Sequence, residues 1–384
     1  MIERPSRRVI EGVMGIPATE GNHITVLRNG DEIFPVMLEA IRGAEHTIDF
    51  LTFIYWSGEI GQEMADAFSE AADRGVRVRI LVDALGARLM EQDLIDQIDQ
   101  SGCILRKFRP LSRLRPWEMH NRTHRKVMVV DEATGFTGGV GIADQWMGDG
   151  RHPDQWRDTH FEVLGPAVDG LRAAFLDNWL ETDQDLLDRE IDRFPDQPHP
   201  GSSVVQVVRG TAETGFSDIA TLYWALFRLA ERCIRITTAY FVPDDDTVDM
   251  LCDARGRGVE VQILLPGPHT DKRFVQIAGE AQYERLIECG VEIWAYQPSM
   301  LHAKIITVDG QIATIGSSNL NRRSTRHDDE VNLVVIDPDV VSTLDGHFDE
   351  DLTRSELVTE WAWDRRSPPQ RLLEVASNLF RPMS

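Results

Sequence analysis

The sequence has few cysteines and no long apolar run. Its four cysteines, Cys103, Cys233, Cys252 and Cys289, lack the paired spacing of a zinc site or a redox motif, so we expect buried free thiols and no metal. No run of about 18 apolar residues occurs, so no transmembrane helix is predicted. The first residues include no apolar signal-peptide core, and the cytoplasm is therefore the expected location.

Positive charge is also scarce. The chain has 40 Lys and Arg against 63 Asp and Glu, which gives a net charge of −23. Binding to a nucleic-acid backbone depends on an excess of Lys and Arg, so no nucleic-acid partner is expected. The exception is segment 101–126, where Glu118 is the single acidic residue among eight basic ones. We interpret it as a positive approach to an anion site, with an ordinary solvated basic face as the alternative.

One pattern occurs twice, first as His124, Lys126 and Asp131 and again as His302, Lys304 and Asp309. An apolar, β-branched run between the Lys and the Asp predicts a strand in each copy. Residues two apart in a strand point to the same face, so each His-Lys pair can contact one ligand. A lysine beside the imidazole favours an anion over a metal ion, and phosphate is the natural candidate.

A glycine-containing turn follows each copy of the pattern. The first contains Gly138-Gly139, and the second reads Gly316-Ser-Ser-Asn319. Backbone N–H groups, a hydroxyl and a carboxamide are all donors to phosphate. Gly139, Ser317 and Asn319 are therefore candidate substrate-binding residues.

Four acidic residues complete the candidate site. Asp131 and Asp309 belong to the repeated pattern and are kept among the candidate catalytic residues, although their odd spacing from the histidine predicts a structural role on the opposite face. Asp158 and Glu330 lie in strand-like segments after the first and second patterns. A carboxylate there can accept the histidine Nδ1–H and leave Nε2 free for chemistry, whereas a surface acid is the alternative.

The rest of the chain is duplicated as well. Segment 44–54 matches 230–240, and 74–82 matches 257–265, each within a strand-helix-strand pattern typical of α/β folds. We predict an N-terminal segment 1–30, a first repeat 31–180, an acidic Pro-rich connection 181–201, a second repeat 202–350 and a C-terminal helical tail 351–384.

The paired patterns, the Gly-Ser-Ser-Asn turn and the duplicated halves resemble the phospholipase D superfamily. Trp156-Arg-Asp-Thr-His160, Tyr240-Phe-Val-Pro-Asp244 and Glu330-Val-Asn332 make the chain similar to the bacterial cardiolipin synthase branch. The resemblance covers the chain from about Asp31 onwards. It implies an α/β fold of two duplicated lobes, each a mixed β-sheet flanked by helices, with a single active site at the pseudo-twofold interface.

The resemblance also implies a mechanism without a cofactor. His124 would attack a phosphodiester to form a phosphohistidine, and His302 would protonate the leaving alkoxide and then deprotonate the acceptor. Lys126, Lys304 and Asn319 would neutralise the phosphoryl oxygens, while Asp158 and Glu330 would orient the imidazoles. Because the halves are pseudo-symmetric, the two histidine roles can be exchanged.

The implied substrate is a phospholipid, with phosphatidylglycerol favoured, and the implied reaction is phosphatidyl transfer. Apolar residues among the basic ones at 111–119 suit a phospholipid, and we expect peripheral association at the inner face of the cell membrane. The alternatives are a phospholipase D that hydrolyses phospholipids to phosphatidic acid, a nuclease of the same superfamily, and a non-catalytic lipid-binding module.

One residue departs from the family pattern. Gly141 stands where the resemblance calls for an Asn after the first motif, so one carboxamide donor to phosphate is missing. A donor to a charged group contributes on the order of 1.5–3 kcal/mol. We expect a slower enzyme or a wider acceptor side of the pocket.

Overall fold

The computed structural model describes residues 4–110, 121–182, 194–211, 217–280 and 282–359. The first half contains α1 (Arg4–Met14), β1 (Thr19–Arg28), α2 (Asn29–Gly43), β2 (Thr47–Thr52), α3 (Glu59–Asp73), β3 (Arg77–Asp83), α4 (Gln92–Gln100), β4 (Ile104–Phe108), β5 (Val127–Val130), β6 (Thr134–Gly138), β7 (Trp156–Arg157), β8 (Thr159–Leu164) and α5 (Ala167–Thr182).

The second half repeats this plan after residue 202. It contains β9 (Ser203–Gly210), α6 (Asp218–Leu229), β10 (Cys233–Thr237), β11 (Phe241–Val242), α7 (Asp245–Gly256), β12 (Glu260–Pro266), α8 (Arg273–Glu280), α9 (Tyr283–Glu288), β13 (Glu292–Tyr296), β14 (Met300–Leu301), β15 (Ile305–Val308), β16 (Ile312–Gly316), β17 (Leu320–Asn321), α10 (Arg322–Arg326), β18 (Glu330–Ile336), α11 (Pro338–Leu352) and β19 (Ser355–Leu357).

The strands of both halves form one continuous mixed sheet. From its centre outwards the first half contributes β1-β8-β6-β5-β2-β3-β4, and the second contributes β9-β18-β16-β15-β10-β12-β13-β19. The seven strands that the first half contributes correspond in order to the first seven of the second, and β19 is an additional edge strand of the second half. The halves meet where β1 pairs with β9. The predicted α/β fold of two duplicated lobes is confirmed, and the sheets of the two lobes are joined edge to edge.

The helices follow from ordinary sequence signals. In α3 the apolar residues Ile60, Met64, Phe68 and Ala71 recur at helical spacing and are buried against the sheet. The chain then turns at Gly75, and the equivalent turn after α7 uses Gly258, both with φ of +91°. Glycine adopts this conformation without a Cβ clash, so both halves end the helix in the same way.

A shared core fixes the halves against each other. Beneath α5 and α11, Phe175 and Val341 belong to one cluster of buried side chains that also contains Val129 from the first half and Ile315 from the second. Separate cores lie on the other face in each half. Apolar burial contributes about 25 cal/mol per Å², so such a shared core stabilises the contact between the two halves.

Three expectations about the ends and the cysteines need correction. Strand β1 falls within the predicted N-terminal segment 1–30, yet it is a central strand that pairs with β8. Strand β19 falls within the predicted helical tail and pairs with β13, while residues 360–384 lie outside the described chain. Cys252 and Cys289, expected as free thiols, form a disulfide because α7 and the turn after α9 are neighbours in space.

Within the described residues, no helix has the length and the apolar character needed to span a bilayer.

Candidate active site

Each repeated motif begins in an extended segment that is bound to the opposite half. The backbone N–H of His124 donates to the carbonyl of Asp329 at 2.8 Å, and that of His302 donates to the carbonyl of Arg157 at 2.7 Å. The preceding residues pair as well, since Thr123 bridges to Asp329 and β14 pairs in parallel with β7. These contacts bring the two histidine motifs together at the junction of the halves.

The orienting carboxylates are exchanged between the halves. His124 Nδ1 lies 3.1 Å from both carboxylate oxygens of Glu330, and His302 Nδ1 lies 2.8 Å from Asp158 Oδ2. Neither carboxylate serves the histidine that it follows in the chain. The pairing is crossed because each carboxylate follows the strand segment that binds the other half's motif.

Gly139 and Ser317 lie against these carboxylates, and their donors are used within the protein. The Ser317 hydroxyl donates to Glu330 at 2.5 Å, and its N–H donates to the carbonyl of Val331. The Gly139 N–H is likewise used by Thr159, and a Cβ at this position would lie 2.1 Å from Asp158 Oδ1. The expectation that both bind substrate phosphate is therefore corrected, since their donors are already engaged.

Trp146 is a site residue that sequence reasoning missed. Its Nε1–H donates to Asp158 Oδ2 at 2.8 Å, and its ring centroid is 5.2 Å from that of His302. Trp156 lies on another side of the same imidazole at 5.1 Å. A hydrogen bond from a buried indole to a carboxylate fixes that carboxylate beside the histidine, and no spacing in the sequence indicates it.

Asp131 and Asp309 do not belong to the catalytic set. Each follows its strand in a left-handed conformation, with φ of +50° and +55°. Asp131 accepts backbone N–H groups from residues 45–47 at 2.7–2.9 Å, and Asp309 accepts those of residues 231–233 at 2.8–2.9 Å. Their inclusion among the catalytic residues is wrong, because their carboxylates anchor the turn that precedes the neighbouring strand.

Asn319 is placed differently from the other turn residues. It is buried, its backbone N–H donates to Ser324 Oγ, and its side-chain oxygen has no hydrogen-bond partner among the described residues. A buried amide with an unsatisfied oxygen is uncommon, and the NH2 group of the same side chain is the part that can donate to phosphate. In the first half a Cβ at Gly141 would lie 2.9 Å from Ile54 Cβ and 3.2 Å from the Trp146 ring. Side chains therefore fill the space of the missing Asn, and the expected widening does not occur.

Two of the basic residues in segment 101–126 are structural. The buried Arg122 guanidinium is paired with Asp83 at 2.9 Å, and Arg125 donates to backbone carbonyls, including that of Glu330. The prediction of a positive approach is corrected for these two residues, which brace the motif segment. Residues 111–120 of that approach lie outside the described chain.

The buried charges are mutually compensated. Burial lowers the pKa of His124 to about 4 and that of His302 to about 3, with the neighbouring lysines adding to the shift and the carboxylates opposing it. Burial also lowers the pKa of Lys126 to about 8 and that of Lys304 to about 7. A bound anion stabilises the charged forms of these lysines and histidines. Binding of a phosphodiester therefore raises the pKa values of all four groups.

The negative partners stay ionised. Burial alone would raise the pKa of Asp158, but His302 and Lys304 hold it well below its usual range. Burial likewise opposes ionisation of Glu330, and His124 and Lys126 outweigh it and lower the pKa. Ionised carboxylates bind the Nδ1–H tautomer of each histidine, which leaves both Nε2 atoms as the reactive nitrogens.

Comparisons with known proteins identify the family of this chain. A family model described as "Cardiolipin synthase, PLD-like domain" matches residues 37–149 and 223–352. The cardiolipin synthase of Geobacillus kaustophilus is 33% identical over 385 residues, which cover 99% of this chain and 76% of the relative. Cardiolipin synthase 1 of Bacillus anthracis is 32% identical over 383 residues, which cover 98% and 75%.

Among solved structures, phosphatidylserine synthase of Haemophilus influenzae has a TM-score of 0.78 at 17% identity, covering 99% of this chain and 100% of that one. This likeness shows the fold. The chain belongs to the phospholipase D superfamily, as its duplicated fold and paired motifs indicate. Within that class, the family model and the relatives place it in the cardiolipin-synthase-like branch, and the resemblance seen in the sequence is confirmed.

Proposed function

We propose that the protein is a phosphatidyltransferase of the cardiolipin synthase type. It moves a phosphatidyl group from one phospholipid to a head-group hydroxyl of another, with phosphatidylglycerol as the favoured substrate, and it releases a small alcohol. The observation that carries the proposal is the crossed pair of imidazoles, each bound through Nδ1 to a buried carboxylate of the other half. Relatives named cardiolipin synthase over almost the whole chain support the substrate class.

In the first step, His124 Nε2 attacks the phosphorus of the donor. The bound phosphodiester raises the pKa of His302, so this imidazole carries a proton on both ring nitrogens in the complex. The new N–P bond forms as the bond from phosphorus to the head-group oxygen breaks, and the His302 imidazolium gives its Nε2 proton to that oxygen. We assign the attack to His124 because the resemblance assigns it there. Its side chain is also the more accessible of the two, with 12% exposed against 5% for His302.

In the second step, a hydroxyl of the acceptor lipid attacks the phosphohistidine. The P–N bond to His124 breaks, the new P–O bond forms, and the acceptor proton passes to His302 Nε2. If water enters in place of the alcohol, the same steps give phosphatidic acid. Both reactions pass through one intermediate, so the product depends on which hydroxyl reaches it.

Lys126, Lys304 and Asn319 carry the charge of the transition state in this proposal. Each lysine Nζ is held by the backbone carbonyl of its own histidine, which aims the ammonium into the site. Preorganised donors in a dry site are worth more than in water, because they need no reorganisation as negative charge builds on the phosphoryl oxygens.

The lipid substrate requires contact with a membrane surface, and we propose peripheral association. Trp224 is exposed beside a cavity of about 270 Å³ that Arg322 and Arg326 also line. An exposed tryptophan next to arginines suits an interface of acyl chains and anionic head groups. The inner face stays a prediction from the sequence. The Cys252–Cys289 disulfide opposes it, since disulfides persist mainly in oxidising compartments.

Lipid mass spectrometry tests the proposal. Purified protein is mixed with phosphatidylglycerol in detergent micelles, alongside His302→Ala and a control, His152→Ala, which changes an exposed histidine. Cardiolipin and glycerol are expected with the wild type and with His152→Ala, and the rate at which both form should fall by about 10²–10⁴-fold with His302→Ala. Phosphatidic acid alone would assign the protein as a hydrolase, and no product from any phospholipid would overturn the proposed function.

A further inference from the structure

A polar cluster covers His302 on the side of the second half. The Tyr240 ring contacts the imidazole edge-on, with centroids 6.3 Å apart, and its hydroxyl donates to the carboxylate of Asp271, whose oxygens lie 2.8 Å and 2.9 Å away. Lys272 Nζ lies 4.9 Å from the centre of the same ring. Tyr240 follows β10, and the other two residues precede α8, so two separate loops meet here.

The charge of this cluster influences a candidate catalytic lysine. The charge of Asp271 acts on Lys304, where it opposes the lowering of the lysine pKa that burial causes. Asp271 is exposed, whereas Asp158 and Glu330 are buried, so it is a carboxylate that solvent and substrate can reach. No step of the proposed mechanism uses Tyr240 or Asp271.

The equivalent place in the first half has the opposite chemistry. Tyr240 corresponds to Ile54 in the duplicated strand segments, and Ile54 packs against Gly141. Phe53, the residue before Ile54, contacts His124 with ring centroids 5.4 Å apart. His124 therefore meets apolar side chains, whereas His302 has a phenol and a carboxylate beside it in addition to Trp146 and Trp156. Such a difference within a duplication marks different bound groups on the two sides.

We propose that Tyr240 and Asp271 form a binding site for the hydroxyl groups of a polyol head group, next to His302. The proposal rests on the function proposed above and names what selects the acceptor. The Tyr240 hydroxyl gives its one hydrogen to Asp271, so its oxygen lone pairs and the remaining lone pairs of the carboxylate are acceptors. A glycerol head group offers one hydroxyl for attack and a neighbouring hydroxyl to donate to this pair.

The position fits both steps of the reaction. His302 protonates the leaving oxygen and deprotonates the attacking one, so the leaving glycerol and the incoming glycerol occupy the same side of phosphorus. A polyol is held there by hydrogen bonds that a simple alcohol makes only in part. Sites built to hydrogen-bond a hydroxyl discriminate strongly against analogues that lack it.

A competition between two soluble acceptors tests this site. Wild type, Asp271→Asn and Tyr240→Phe receive phosphatidylglycerol as donor, with deuterated glycerol and 1-butanol together, and mass spectrometry gives the ratio of deuterated phosphatidylglycerol to phosphatidylbutanol. Loss of one hydrogen bond to a charged acceptor is expected to lower this ratio about tenfold in Asp271→Asn. Tyr240→Phe, which keeps the ring, should lower it less. The ratio of phosphatidylbutanol to phosphatidic acid should stay within about twofold, because neither butanol nor water uses the second hydroxyl contact.

Two matched variants serve as controls. Asp253→Asn removes an exposed carboxylate of α7, and Tyr283→Phe removes a tyrosine hydroxyl of α9 in the same half. Both should keep the wild-type acceptor ratio. An unchanged ratio in Asp271→Asn, while the wild type still makes cardiolipin, would overturn this inference and leave the proposed function intact. A wild type that makes no phosphatidyl product would overturn both.

Discussion

The two histidines are held by equivalent backbone and carboxylate contacts, but different side chains surround them. Around His302 lie Trp146 and Trp156 from the first half and Tyr240 from the second, whereas Phe53 is the ring that contacts His124 among the described residues. The more enclosed imidazole has the lower pKa, about 3 against about 4. The duplication has kept the contacts that hold each histidine and has changed the aromatic residues around it, as expected if the two histidines have different catalytic roles.

The contacts that hold the two motifs are the same in both halves. Each motif segment binds the backbone of the opposite half, each imidazole meets a carboxylate from the opposite half, and each motif aspartate anchors a turn. Because each carboxylate crosses over, neither half contains a complete histidine-carboxylate pair. The joined sheet and its shared core are therefore a requirement for the site as well as for stability.

The largest expected difference between the halves is between His124→Ala and His302→Ala. Loss of the nucleophile should lower kcat by on the order of 10⁶-fold, as in other enzymes with covalent intermediates. Loss of the acid should cost about 10²–10⁴-fold with a glycerol leaving group. With a para-nitrophenyl phosphatidyl donor, which needs no protonation, His302→Ala should still form phosphohistidine. Alkaline quench and peptide mass spectrometry measure it, and the reverse pattern would exchange the two roles.

The crossed carboxylates give the next largest effect. Asp158→Asn should impair the same step as His302→Ala, and Glu330→Gln the same step as His124→Ala, each with a loss of about 10²–10⁴-fold. The amide disfavours the Nδ1–H tautomer that the native carboxylate binds. Kinetics with the para-nitrophenyl donor distinguish the two variants. Because its leaving group needs no protonation, this donor should restore the rate of Asp158→Asn and leave Glu330→Gln impaired. Rescue of Glu330→Gln alone would show that each carboxylate serves its own half.

The sequence was sufficient for the duplication, the His and Lys positions and the acidic residues, because these depend on local spacing. It was insufficient wherever the position of a residue depends on a contact with a residue that is distant in sequence. The crossed pairing, the hydrogen bond from Trp146 to Asp158 and the Cys252–Cys289 disulfide join residues that are distant in sequence. Strand β1 was missed for the same reason, since its apolar pattern is weak and its partners β8 and β9 provide its place.

Gly139 and Ser317 were misassigned because the sequence does not show which donors are already bonded within the protein. Gly139 and Ser317 have the chemistry of phosphate donors, and sequence reasoning treats every donor near a motif as available to a ligand. In the fold their N–H groups are bonded to neighbouring strands, and the Ser317 hydroxyl is bonded to Glu330. Availability is a property of the three-dimensional structure. Asn319, whose buried oxygen has no partner among the described residues, is the turn residue that stays a candidate for substrate binding.

The lysines predict a pH dependence that distinguishes the halves. Lys304 is charged below its pKa of about 7, and Lys126 below about 8, in the free enzyme. A neutral amine cannot neutralise a phosphoryl oxygen, so kcat/KM should fall as pH rises through 7 to 8, by about tenfold per unit once the first lysine has lost its proton. Substrate binding raises both pKa values, so kcat should fall only at higher pH. Steady-state profiles of both parameters measure this, and coincident alkaline limbs would contradict it.

The smallest effect on chemistry is expected where the halves are most alike. Asp131→Ala and Asp309→Ala each remove the acceptor for three backbone N–H groups, and each places Ala in a left-handed conformation. We expect each to lower the free energy of unfolding by about 1–3 kcal/mol, as measured by urea denaturation. Asn tolerates this backbone and keeps one acceptor oxygen, so Asp→Asn should cost less at both sites. If these residues only anchor turns, kcat/KM per folded molecule stays at the wild-type value in all four variants. A loss of turnover without a loss of stability would return the aspartates to the catalytic set.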